Sequence, residues 1–125
     1  MEEKTNYQLS YSVNEGILEV VITGEVTSKI IDRMQVEVSK NMKAKNAKAL
    51  LCDVSAVKGT DRFAAAYYRQ RRLPLELIKL PSAIVDRPEN RDYHEFYETT
   101  SANIGHSVKF FYDIEDARAW LKSRL

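Results

Sequence analysis

Tyr7, Leu9, Tyr11 and Val13 alternate with polar residues, which is the period of a strand with one buried face. Asn14-Glu15-Gly16 is a turn signal, and an apolar run returns over Ile17–Thr23. The two segments are expected to pair as an antiparallel hairpin, closed by Gly24. The period then changes. Ile31, Met34, Val38 and Met42 recur at helical spacing, while Lys29, Arg33, Glu37, Lys40 and Lys43 fall on the opposite side, as in a helix that buries one stripe. Thr27 or Ser28 stands where a hydroxyl accepts a free N–H of the first turn.

Ala49-Leu50-Leu51-Cys52 is too short and too apolar for an exposed helix. It predicts a central strand buried on both faces and ending at Asp53. Thr60 or Asp61 can cap a second helix over Arg62–Arg72, with Pro74 beyond it. Ser82-Ala83-Ile84-Val85 repeats the buried-strand pattern. Pro88 suits the first turn of a third helix, where its missing N–H costs nothing. Tyr93, Phe96, Tyr97, Thr100 and Ile104 are that helix's expected inner stripe, which leaves His94 on the exposed side. Gly105 takes the left-handed position after it. Val108–Tyr112 reads as the last strand. Asp113, with Asp116 three positions on, caps a final helix whose Ala117, Trp120 and Leu121 face inward.

Strands and helices in the order ββαβαβαβα predict an α/β fold: a mostly parallel five-stranded sheet with an antiparallel first strand and right-handed crossovers. No repeat, low-complexity tract or linker divides the chain, so residues 1–125 read as a single domain. At 125 residues it can bury one sizeable core.

Charge changes the picture only by exclusion. Nineteen basic against eighteen acidic residues give a net +1, with no overall pull toward nucleic acid or an anionic membrane. Met1-Glu2-Glu3-Lys4 is acidic and polar, unlike a signal peptide. The apolar run Ile17–Ile22 is short and holds Glu19, so no membrane span is expected. The single cysteine, Cys52, excludes an intrachain disulfide. A cytoplasmic location is the expectation. The two histidines, His94 and His106, are twelve positions apart and Cys52 is expected within the sheet, so the nitrogen and sulfur ligands do not cluster at zinc-site spacing. No metal and no cofactor is expected, and phosphate-cradling glycine loops and a nucleophile elbow are both missing from the sequence. A triple of Asp53, Ser55 and His106 could be drawn as catalytic only if the fold brought them within hydrogen-bond reach.

Two stretches carry a family resemblance over nearly the whole chain. One is Leu50-Leu51-Cys52-Asp53-Val54-Ser55-Ala56-Val57. The other runs from Ala83-Ile84-Val85-Asp86-Arg87-Pro88-Glu89 through Phe96-Tyr97-Glu98-Thr99, Asn103-Ile104-Gly105 and Val108–Phe111 to Glu115–Leu121. With the element order, they resemble the STAS superfamily, the anti-sigma-factor antagonist fold, and in particular small bacterial STAS-like proteins. That fold is also likened to CRAL-TRIO lipid-transfer domains. The resemblance implies a non-enzymatic regulatory module that binds a protein partner of the kinase or regulator type. In such proteins a serine or threonine at the start of the helix after the third strand is phosphorylated, which changes the charge of the binding surface. Asp61 matches the family's aspartate, whereas Arg62 and Phe63 stand where its serines would be. This departure argues against the phosphoswitch, and Thr60 reads as a cap or turn residue.

The expected partner surface is the turn and helix from Ser55 to Arg72: Ser55, Thr60, Asp61, Arg62, Tyr67, Tyr68 and Arg69. Arg62 and Arg69 are two turns apart and can share a face, where arginine forks suit planar anions. The same pattern fits a solvated helix face, and the balanced charge argues against nucleic acid. Helices over a sheet can also leave an apolar pocket at their edges. Phe63, Tyr67, Phe96, Phe110 and Trp120 are its expected lining, and a small lipid-like molecule its expected ligand. The oligomeric state is not legible.

Overall fold

The structure is a computed structural model that describes residues 7–26, 28–58 and 75–125. Strand β1 (Tyr7–Asn14) and strand β2 (Ile17–Glu25) form the expected hairpin, with Asn14 opposite Ile17. Glu15 at φ 53° and Gly16 at φ 83° make the two-residue turn. Two consecutive positive φ values match the right-handed twist of the paired strands, and the second suits glycine. Gly16 also accepts the Lys48 N–H at 2.7 Å, which ties the turn to the next strand.

Helix α1 (Ser28–Ala44) leads to β3 (Ala49–Lys58), which runs five residues further than the pattern predicted. The extension pairs with β2 out to Glu25, through a register shift between Val21 and Thr23. Across that shift β3 spends two residues, Val54 and Ser55, against one on β2. The alternation slips by one, so Val57 rather than Ala56 returns to the buried face. Asp53 stabilises the bulge: its Oδ1 accepts the Ser55 N–H at 3.0 Å and the Ser55 hydroxyl at 2.7 Å. Ser55 therefore sits within a strand, not in the turn expected of it.

The helix expected over 62–72, its caps Thr60 and Asp61, and the earlier cap Thr27 lie outside the described residues. A short helix α2 (Leu75–Ile78), not foreseen from the pattern, buries Leu77 and precedes β4 (Ser82–Val85). A 3₁₀ turn at Pro88–Asn90 opens helix α3 (Arg91–Asn103), followed by β5 (Val108–Phe111) and helix α4 (Ile114–Ser123). Asp113 caps α4 as expected, accepting the Glu115 and Asp116 N–H groups.

The sheet has five strands in the order β1-β2-β3-β4-β5, with β1 antiparallel and the rest parallel. The hydrophobic residues bury on both of its faces. On one, Leu18, Val20, Ile22 and Leu50 meet Met34, Val38 and Met42 of α1. On the other, Ile17, Ala49, Leu51, Ala83 and Val85 meet Ala117 and Leu121 of α4. Alanines at the crossing let the backbones approach closely. Glu19 is buried on this second face, where Arg118 grips both carboxylate oxygens at 2.8 Å.

Helix α3 is rotated from its expected phase. Its buried residues are His94 and Ser101, while Ile104 is 37% exposed. His94 thus lies on the inner side, not the exposed side predicted for it. Polar groups can face inward here because partners await them. Glu98 accepts the Phe110 N–H at 2.9 Å on the free edge of β5, which satisfies an edge donor that would otherwise stay open.

Candidate functional site

Among the described residues, side chains do not fill the α1 face of the sheet throughout. A cavity of about 370 Å³ lies over it. The two-residue period of the strands decides its floor: Leu50, Cys52 and Val54 of β3, Ser82 and Ile84 of β4, and Val108 and Phe110 of β5 all point the same way. Ile31, Met34 and Val38 of α1 form one wall, Tyr93 and Tyr97 of α3 another. Against a ~150 Å³ cavity that holds benzene, this space suits about fifteen non-hydrogen atoms. Its walls are apolar for most of their extent, as in small-molecule sites.

Polar groups gather at the two ends. At the C-terminal ends of the strands stand Lys58, Asp86, Arg87 and Asn90. Asp86 is only 7% exposed and already fully engaged. Its Oδ1 accepts the Arg87 N–H at 2.7 Å, and its Oδ2 accepts from Asn90 at 3.2 Å and from His94 Nε2 at 2.9 Å. His94 in turn stacks on Phe110, with ring centroids 4.1 Å apart, and its Nδ1 lies 3.4 Å from the Tyr112 hydroxyl. This chain of contacts fixes α3 against β4 and β5.

At the opposite end, His106 is aimed by the way α3 stops. Gly105, at φ 79°, donates to the Ala102 carbonyl, and His106 N–H donates to the Ser101 carbonyl at 2.9 Å. This crossed pair is the Schellman arrangement, which needs the left-handed residue that glycine supplies. It folds His106 back under the helix, 5% exposed, with Nε2 at 3.2 Å from the Ser82 hydroxyl. Nδ1 is shielded and has no hydrogen-bond partner among the described residues. Burial lowers the His106 pKa to about 4, so the ring is neutral at pH 7. Burial, with Asp53 nearby, pushes the Cys52 thiol up to about 12. It stays protonated and is not a nucleophile at neutral pH.

Of the residues expected at a partner surface, Ser55 is half-buried in β3, and Thr60, Asp61, Arg62, Tyr67, Tyr68 and Arg69 lie outside the described residues. Of the expected pocket lining, Phe110 is in the cavity wall. Phe96 is half-buried on α3 and outside that wall. Trp120 is on the other face of the sheet, 5.8 Å from Phe111. Phe63 and Tyr67 lie outside the described residues. Asp53 and Ser55 bond each other, but His106 bonds Ser82 instead, so the drawn triple is not assembled. Ser82 reads from the sequence only as a strand residue, and nothing local marks it as a cavity residue, whereas Asp86 and Arg87 stand at a strand C-terminus, where α/β sheets tend to place ligand sites. Among the described residues, no three His, Cys, Asp or Glu converge as a metal site, and no helix is long and apolar enough to cross a membrane.

The comparisons with known proteins agree with this architecture. A family model described as "Domain of unknown function (DUF7793)" matches residues 11–125. No curated protein matches the sequence. Among solved structures, an uncharacterized protein of the DUF3478 family from Shewanella loihica PV-4, with a SpoIIAA-like fold, is 19% identical. The match covers 97% of this chain and 98% of that one, with a TM-score of 0.59. An anti-sigma factor antagonist from Mycobacterium paratuberculosis is 16% identical over 93% of this chain and 94% of that one, TM-score 0.62. The anti-sigma factor antagonist SpoIIAA in its unphosphorylated form is 14% identical over 94% and 97%, TM-score 0.57. The fold is thus that of the STAS proteins, as the resemblance implied.

Proposed function

This chain belongs to the DUF7793 domain family, and we propose that it is a non-enzymatic regulatory module, spanning residues 1–125, that binds a protein partner in the bacterial cytoplasm. The observation that carries this reading is its likeness, over more than nine-tenths of its length, to two anti-sigma factor antagonists. The partner is of the kinase or regulator type. The surface is the segment from Ser55 to Arg72, with Asp61 and Arg62 at its edge and Tyr67, Tyr68 and Arg69 beyond. Arg62 and Phe63 occupy the places where the STAS resemblance would put serines, so partner choice here does not run through phosphorylation at those positions.

The test is native mass spectrometry of the tagged protein purified gently from its source cells. The wild type is expected to carry one protein at fixed stoichiometry. The Arg62→Glu, Arg69→Glu variant is expected to lose it while keeping its circular dichroism and thermal midpoint. Unchanged capture by that variant removes the surface assignment; a wild type with no partner removes the reading itself.

The 370 Å³ cavity favours a second reading, a carrier or sensor of a small apolar ligand. Phe110 is the described residue of the expected lining that supports it.

A further inference from the structure

We propose that the end of the sheet where the parallel strands begin is a docking surface for an anionic lipid bilayer, held by a rim of lysines. The inference stands apart from both readings above, since it uses neither the cavity nor the segment from Ser55 to Arg72.

The topology builds the rim. Strands β2 to β5 run parallel, so their first residues share one end with the last turns of α1, α3 and α4. Lys43 lies in the last turn of α1, and Lys45 and Lys48 belong to the loop that enters β3. The Lys48 N–H donates to the Gly16 carbonyl at 2.7 Å, and Lys122 of α4 reaches Glu15 of the same hairpin turn at 2.9 Å. Lys79 approaches β4 through Pro81, whose carbonyl accepts the Leu50 N–H of β3. Arg124 follows α4 and covers the Trp120 ring at 4.9 Å. All six cations are exposed. Lys45, Lys48 and Lys79 form no ion pair among the described residues.

The net charge of +1 conceals a separation. Among the described side chains, Glu15 is the exposed carboxylate at this end, while Glu19 is buried and held by Arg118. In sequence, α2 adds Glu76. Residues 59–74, outside the described ones, hold Asp61 against four arginines, so they do not reverse the sign. The opposite end exposes Glu25, Glu89, Asp92, Asp113, Glu115 and Asp116 against Lys58, Arg87 and Arg91. A molecule so polarised turns its lysines toward a negative plane. Helix dipoles account for Lys43 and Lys122, in last turns, but not for Lys48 at the foot of β3. Two features select a bilayer among anionic partners. Five of the six cations are lysines, which lack the fork that reads one phosphate or carboxylate specifically. Ile104 and Leu125, 37% and 56% exposed, stand at the same end, and apolar residues beside cations suit the headgroup boundary.

The experiment floats the full chain, at about 0.1 M salt, with phosphatidylcholine vesicles and with vesicles that also carry phosphatidylglycerol. The wild type is expected to float with the anionic vesicles alone and to be released at about 1 M salt. Lys45→Gln, Lys48→Gln, Lys79→Gln together are expected to lower the partition about a hundredfold with an unchanged circular dichroism spectrum. Arg33→Gln, Arg87→Gln, Arg91→Gln remove the same charge away from the rim and are expected to keep most of the binding. Equal losses in the two triple variants overturn the rim. As a readout independent of any variant, brominated phosphatidylglycerol is expected to quench Trp120, the single tryptophan, which Arg124 covers; a bound protein without quenching docks by another face and overturns the inference. Equal binding to both vesicle types, or to neither, overturns it as well. Capture of a short DNA duplex with no vesicle binding overturns the lipid assignment and gives the rim to nucleic acid.

Discussion

His106 is the residue whose environment departs furthest from what its neighbours in sequence suggest. In an unfolded chain its imidazole takes a proton near pH 6.5, and in the folded protein only near pH 4. Between those values the unfolded state binds more protons, so folding stability is whole above pH 6.5 and is lost as the pH falls toward 4. The full loss is about 3 kcal/mol. Urea unfolding at pH 7.5, 6.0 and 4.5 is expected to show the wild type losing most of that margin relative to His106→Gln, which has no imidazole to protonate. Parallel profiles would show that His106 is not buried as neutral imidazole. The glycine before it was legible as a helix stop, and the position of His106 just beyond that stop was legible with it. Its burial was not, because the hydroxyl that meets it, Ser82, lies 24 positions away.

At the scale of elements, the pattern gave every described strand and three of the described helices, and failed where polar residues face inward. Helix α3 was phased by its aromatics, yet His94 and Ser101 are its buried residues. The partners that permit this, Asp86 and Phe110, come from β4 and β5. The end of β3 was misplaced for a different reason: Asp53 and Ser55 look like a turn and serve a bulge. Glu19 poses the same problem in β2, a carboxylate in an apolar strand that is matched only by Arg118, 99 positions on. That ion pair docks α4 on the sheet and is extended by Glu115, 2.6 Å from the same guanidinium. Its neighbours raise the pKa of Arg118, with the hydrogen bonds it donates to Glu19 foremost. Arg118→Met is expected to lower the thermal midpoint by several degrees, because Glu19 is left charged and shielded. Adding Glu19→Gln is expected to restore part of the loss, since the amide carries no charge. Additive losses in the two single variants and the double variant would mean that the pair is not coupled.

At the scale of the whole molecule, the described residues cover the two faces of the sheet unequally, and the asymmetry is what connects fold to function. One face of the sheet is closed by α4 with alanines at the contact, and the other keeps a cavity beside α1 and α3. Adjacent residues of one strand report on the two faces, because Ala83 points to the closed side and Ile84 to the open one. Ala83 is 0% exposed and packs within the cluster that holds Ala117 and Leu121. Ala83→Leu must force side chains or backbone apart there, at a cost of about 1–3 kcal/mol. Ile84→Phe adds volume into space that is already free, so it is expected to leave stability unchanged or raise it, while reducing the uptake of a small apolar probe, 1-decanol. Urea unfolding of the two variants beside the wild type measures the contrast directly. Equal destabilisation by both would mean that the α1 face is as tightly packed as the α4 face, and the cavity would then have no room for a ligand. A stable Ile84→Phe protein that no longer takes up decanol but still holds its protein partner would separate the two proposed roles, placing ligand capture in the cavity and partner capture elsewhere on the molecule.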